Sequence, residues 1–147
     1  GVSDVGLPVV LELKKETASD TPLRILVEGL AYAVAIRRAW NEGFLRNEWA
    51  ECVTSQSRSY RDCYPLLTVP VIGIAPRIFW EHRIGVQGGR RKTNQVRKEA
   101  WKPFNDLCVA CSEIGFPVTF LQFDADEPEA NGLPLIRNVT TVQLPAS

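Results

Sequence analysis

The sequence predicts a single α/β domain, a mixed β-sheet flanked by helices, and three observations carry that prediction. Strand-like and helix-like segments alternate: strands are expected at 9–14, 69–80, 116–123 and 139–144, and helices over 22–40 and from about 94 or 103 to 113. The 147 residues suffice for one domain with its own core. Composition, 45% hydrophobic and 23% charged, is that of an ordinary globular chain.

The first strand, Val9-Val10-Leu11-Glu12-Leu13-Lys14, follows a turn-like Asp4-Val5-Gly6-Leu7-Pro8. Alternation puts Val9, Leu11 and Leu13 on one face and Val10, Glu12 and Lys14 on the other. One apolar face and one half-apolar face predict an internal strand. Asp20-Thr21-Pro22 then opens a helix, with a capping side chain and proline at the first helical position. Leu23, Leu26, Val27, Leu30 and Val34 recur at helical spacing, and Ile25, Ala33 and Ile36 add apolar surface, so this helix is expected to be largely buried. Gly29 in mid-helix costs about 1 kcal/mol relative to alanine, which argues for close approach to the sheet.

Residues 44–54 suggest a further short helix. Pro70 and Pro76 push the 69–80 segment toward an edge, a bend or two short strands. Residues 83–95 read as a polar, glycine-bearing loop and 124–132 as an acidic one. Phe104, Leu107, Cys108, Cys111 and Ile114 form one apolar helical stripe, and Gly115 ends the helix.

Seventeen basic residues balance seventeen acidic ones, so any nucleic-acid surface must be a local patch. Arg83, Arg90, Arg91, Lys92, Arg97, Lys98 and Lys102 supply one, and beside Gly88-Gly89 they could contact phosphates or form a solvated loop. Trp80 and Trp101 flank it, with core packing the more usual role for tryptophan. No apolar run approaches the ~20 residues of a membrane span. No secretory signal is visible, so an intracellular, cytoplasmic setting is expected. The four cysteines, Cys52, Cys63, Cys108 and Cys111, are expected to be free thiols, buried core cysteine being favoured over a zinc set. Methionine is absent, so the chain is expected to be a piece of a longer one. His82 is the one histidine, and no nucleophile elbow, phosphate-loop or dinucleotide fingerprint accompanies it.

The chemistry concentrates at Glu12 and Lys14. Two apart on a strand, they share a face, where an acid and a base either neutralise one another or act together. Glu28 and Tyr32 lie four apart on the following helix, with Arg24 one turn earlier.

The run Leu7-Pro8-Val9-Val10-Leu11-Glu12-Leu13-Lys14 resembles the third core strand of PD-(D/E)XK (restriction-endonuclease-like) nucleases. Glu28-Gly29-Leu30-Ala31-Tyr32-Ala33 is similar to the Gln-xxx-Tyr motif of the helix that follows in many members, with Glu28 standing where the motif has glutamine. The likeness spans about residues 7–36. It implies a restriction-endonuclease-like core, here lacking its N-terminal elements, and hydrolysis of phosphodiester bonds in DNA. It also implies a Mg²⁺ (or Mn²⁺) ion held by an aspartate together with Glu12. Lys14 would orient the attacking water or stabilise developing charge, and Glu28 and Tyr32 would support the site. The family's first aspartate normally precedes this strand; Asp4 is the one acid upstream here and reads as a turn residue, so the partner is either Asp4 or upstream of Gly1. Arg90, Arg91 and Lys92 would then meet the nucleic acid. The alternative is a non-catalytic α/β module that binds nucleic acid or a protein partner.

Overall fold

The computed structural model describes residues 8–15, 18–45, 68–84, 95–125 and 136–145. Asp4, Cys52, Cys63, Arg90, Arg91, Lys92 and most of the helix expected at 44–54 lie outside them. Among the described residues the chain is an α/β fold with four strands and three α-helices: β1 (Val10–Leu13), α1 (Pro22–Asn41), β2 (Val71–Pro76), α2 (Arg77–Ile84), α3 (Trp101–Glu113), β3 (Val118–Ala125) and β4 (Ile136–Thr141). A 3₁₀ turn, Lys98–Ala100, leads into α3. None of these helices is long and apolar enough to cross a membrane.

The sheet is mixed, as expected, with order β1-β2-β3-β4. β1 and β2 pair in parallel, as do β2 and β3, while β4 returns antiparallel to β3. Among the described residues β1 is therefore an edge strand, not the internal one that its apolar pattern predicts. On the face away from α1, Leu11 and Leu13 are 48% and 67% exposed. The Val10–Glu12–Lys14 face turns inward beneath α1 instead. Hydrophobic alternation reports which residues share a face, but not which face the helices cover.

All three helices contribute to the core on that one face. Ile25 and Leu26 of α1, Phe79 and Trp80 of α2, and Trp101 and Phe104 of α3 pack with Ala75 and Phe120. The two tryptophans are thus core residues, and the Trp80 indole N–H donates to the Leu121 carbonyl at 3.0 Å. A second cluster joins Val10, Ala33, Trp40, Val71, Cys111 and Phe116.

The buried stripe of α1 is Pro22, Ile25, Leu26, Gly29, Ala33 and Trp40. Leu23, Val27 and Val34, expected inside, are about half exposed. Small residues select the face because α1 lies so close to the sheet. A Cβ on Gly29 would fall 2.4 Å from Val71 Cγ1, and one on Gly73 would fall 2.7 Å from both Ile25 Cγ2 and Phe120 Cδ1.

β structure expected through Trp80 ends at Pro76. Proline has no N–H to extend the ladder, and Arg77–Ile84 coils into α2. That turn carries Arg83, expected in an exposed basic loop, into the interior at 2% exposure. β4 begins three residues earlier than expected, and its register against β3 shifts between Gln122 and Asp124, near the left-handed Asn138. The C-terminal part of α1 is fastened by Arg37, whose guanidinium donates to the carbonyls of Ile114 and Gly115 at 2.8 and 2.7 Å and lies over the Phe116 ring.

Cys108 and Cys111 are free thiols, half-buried and buried. Burial pushes the Cys108 thiol up to about 11, with Cys111 adding to the rise, and it raises Cys111 as well. Since the thiolate is the reactive form, both should resist alkylation at pH 8 until denaturant is added. Rapid labelling of either one in the folded protein, mapped by mass spectrometry, would contradict this packing.

Candidate functional site

The parallel pairing of β1 with β2 places Glu12 beside Gly73. Ile25 and Phe120 fill the space over Gly73, and Glu12 lies beside it on the inward face of β1. Lys14 follows β1, and its backbone N–H donates to the Ile74 carbonyl, continuing the ladder by one residue. Glu12 and Lys14 thus point the same way, as their spacing predicts.

Lys14 Nζ sits among three carboxylates. It lies 2.8 Å from Glu12 Oε1, 3.1 Å from Asp20 Oδ2 and 2.5 Å from Glu28 Oε2. Arg24 Nε ties the outer side of the group together, 3.2 Å from Asp20 Oδ1 and 2.8 Å from Glu28 Oε1. Three acids against two bases leave the cluster one negative charge. The Lys14 side chain is 10% exposed, those of Glu12 and Asp20 are 16% and 15%, and Glu28 is 32%. The inner members are therefore largely out of water, where charges must be paired.

Burial alone would lower the Lys14 pKa, but its hydrogen bonds to Glu12, Glu28 and Asp20 outweigh that and raise it above the ordinary 10.5. Lys14 is an ammonium throughout the physiological range. It can stabilise negative charge or donate hydrogen bonds, and it cannot serve as a general base.

Glu28 is held down at about 2 by its hydrogen bonds from Lys14 and Arg24. A depressed folded pKa contributes stability that is complete above the ordinary value of 4.5 and lost as pH falls toward 2. The stability difference between the protein and Glu28→Gln should therefore be largest at pH 6 and shrink steadily from pH 4.5 to 2.5. A difference that stays constant in urea titrations across that range would dissociate Glu28 from the pair.

Asp20 is the member that sequence reasoning missed. It lies in the expected helix start, where the cap is Thr21, whose hydroxyl accepts from the Arg24 N–H at 3.2 Å. Asp20 is thereby free to turn its carboxylate to Lys14 and Arg24. The signal was present as a ladder: Asp20, Arg24 and Glu28 are spaced four apart, alternating in charge. Tyr32, the next rung, is 62% exposed and takes no part in the network among the described residues. The structure thus brings together Glu12, Lys14 and Glu28 of the expected site and adds Asp20 and Arg24.

Among the described residues no group of three or more His, Cys, Asp or Glu side chains is arranged to hold a metal ion. The carboxylates of this cluster converge on the Lys14 ammonium instead. Comparison with known protein families, with curated proteins and with solved structures found no match to this chain.

Proposed function

We propose that this chain is a metal-dependent nuclease-like domain with a restriction-endonuclease-like core, hydrolysing phosphodiester bonds in DNA. One observation carries the reading: a strand-borne Glu-X-Lys turns inward under the next helix and meets a second carboxylate, Asp20, at the same ammonium nitrogen. On this reading Asp20 supplies the second carboxylate, although it follows the strand instead of preceding it.

Glu12 and Asp20 offer hard oxygen donors of the kind Mg²⁺ and Mn²⁺ take, so the donor set suits such an ion. A bound ion would supply an activated water and neutralise phosphate charge. Lys14, fixed as an ammonium, would stabilise the charge that grows on the phosphoryl oxygens as the bond breaks. Glu28 and Arg24 hold the Lys14 ammonium and the Asp20 carboxylate in place. The cluster's own negative charge would repel a DNA phosphate in the absence of added cations, so binding as well as cleavage should respond to divalent ions.

A second reading is supported by the same cluster. Three carboxylates satisfy all three N–H donors of Lys14, as a purely structural strut between β1 and α1 requires. The chain is then a non-catalytic module that binds nucleic acid or a protein partner. The deciding experiment incubates the protein with end-labelled DNA, with Mg²⁺ or Mn²⁺ and with chelator. Cleavage that requires the ion and is absent in Glu12→Ala supports the nuclease. Salt-sensitive DNA binding with no cleavage favours the module.

A further inference from the structure

Asp20 also lines a cavity of about 630 Å³, within the size range of small-molecule sites. The loop entering α1 and its first turn form one wall, and the start of α3 forms the other. Its inner part is lined by Trp101, Phe104 and Arg83, which are 2%, 8% and 2% exposed. Its rim includes Leu23 and Leu107, which are 49% and 39% exposed. The opening is therefore apolar and accessible, and a charged side chain stands at the bottom.

Arg83 is the unusual component. Its guanidinium donates to the carbonyls of Asp20 and Ala18, and stacks over the Phe79 ring at 4.2 Å. Among the described residues it makes no ion pair: every carboxylate of theirs within ion-pair distance of a base belongs to another partner. Two carbonyls and a ring satisfy part of its hydrogen-bonding capacity, since guanidinium carries five N–H donors. Burial disfavours its charge, and only the more distant Asp20 carboxylate works the other way. A desolvated cation at the end of an apolar cavity is complementary to an anion attached to an apolar body.

We infer that this cavity is a binding site for a small organic anion with a flat apolar body, the anionic group directed at Arg83 and the ring held between the first turn of α1 and Trp101 and Phe104 of α3. The inference is independent of the nuclease reading. Asp20 nonetheless belongs to both places, its carbonyl on Arg83 and its carboxylate on Lys14. A ligand here would stiffen the loop that delivers Asp20.

The test uses a charge-matched pair of probes, 2-naphthoate and the neutral 2-naphthylmethanol, titrated into the protein by calorimetry. Naphthoate is expected to bind at least about tenfold more tightly than the alcohol, the ratio worth one well-placed charge-assisted hydrogen bond. Arg83→Met should erase that preference and leave the alcohol within about threefold of its original affinity. Because Arg83 also fastens the Ala18–Asp20 loop, the exposed rim supplies a second variant. Leu107→Glu places a like charge at the mouth and should abolish naphthoate binding while sparing the alcohol. Equal affinity for the two probes, no binding of either, or naphthoate binding indifferent to Leu107→Glu would each overturn the assignment.

Discussion

DNA cleavage in the presence of Mg²⁺ or Mn²⁺ is expected to vanish in Glu12→Ala and to fall by about 10²–10³ in Lys14→Ala, the usual consequence of deleting one preorganised electrostatic group. The two effects differ in origin. On the nuclease reading Glu12 would contribute a carboxylate to the ion's donor set, so its loss should remove the divalent-dependent rate altogether. Lys14 would act as charge develops, so its loss should depress the single-turnover rate with little change in the ion requirement. Asp20→Asn separates the present site from one that draws its aspartate from elsewhere in the chain: it should resemble Glu12→Ala. Glu28→Gln should be milder, because the amide still accepts a hydrogen bond from Lys14. Rates should be compared at equal folded fraction, checked by circular dichroism. Undiminished cleavage in Glu12→Ala would rule out this cluster as the active centre.

Lys14→Met should destabilise the fold by about 3 kcal/mol, independently of any activity. Removing one partner of a buried ion pair typically costs about 3–5 kcal/mol, because the remaining charge is left without compensation. Here three carboxylates lose their common partner, and only Asp20 and Glu28 retain Arg24, which is 64% exposed. The low end of the range applies because Glu12, Asp20 and Glu28 keep partial access to water. Returning the cluster to one negative charge should recover part of the loss, so Lys14→Met/Glu12→Gln should be more stable than Lys14→Met alone. Urea unfolding of the four members of that cycle measures the coupling. A cost below about 1 kcal/mol would class the cluster with exposed surface pairs.

The inward geometry of the cluster was legible wherever one periodicity decided it. Period two put Glu12 and Lys14 on one face, and period four put Arg24 and Glu28 on one side of α1. Gly29, expensive in a helix, correctly signalled close approach to the sheet. Asp20 was obscured by competition between neighbours. Asp20 and Thr21 are both good capping residues, and the residue that wins the cap releases the other. The covered face of β1 was also hidden, since Leu11 and Leu13 look like core until the positions of the helices are known. Arg83 resembled its basic neighbours in the chain, and only the turn into α2 after Pro76 directs it inward. For β1 and Arg83 the missing information was tertiary: which side a helix packs on, and where a chain reverses.

Arg37 carries a consequence for the order in which the molecule comes apart. Its bonds to Ile114 and Gly115 join positions 77 and 78 residues distant along the chain. The Gly115 carbonyl also accepts from the Val69 N–H, just ahead of β2. The end of α1, the end of α3 and the start of β2 therefore meet at a single peptide unit, and none of the three can fray without releasing the others. Their amide protons should exchange with solvent in one shared opening event, at one common free energy, where three isolated chain segments would each report their own.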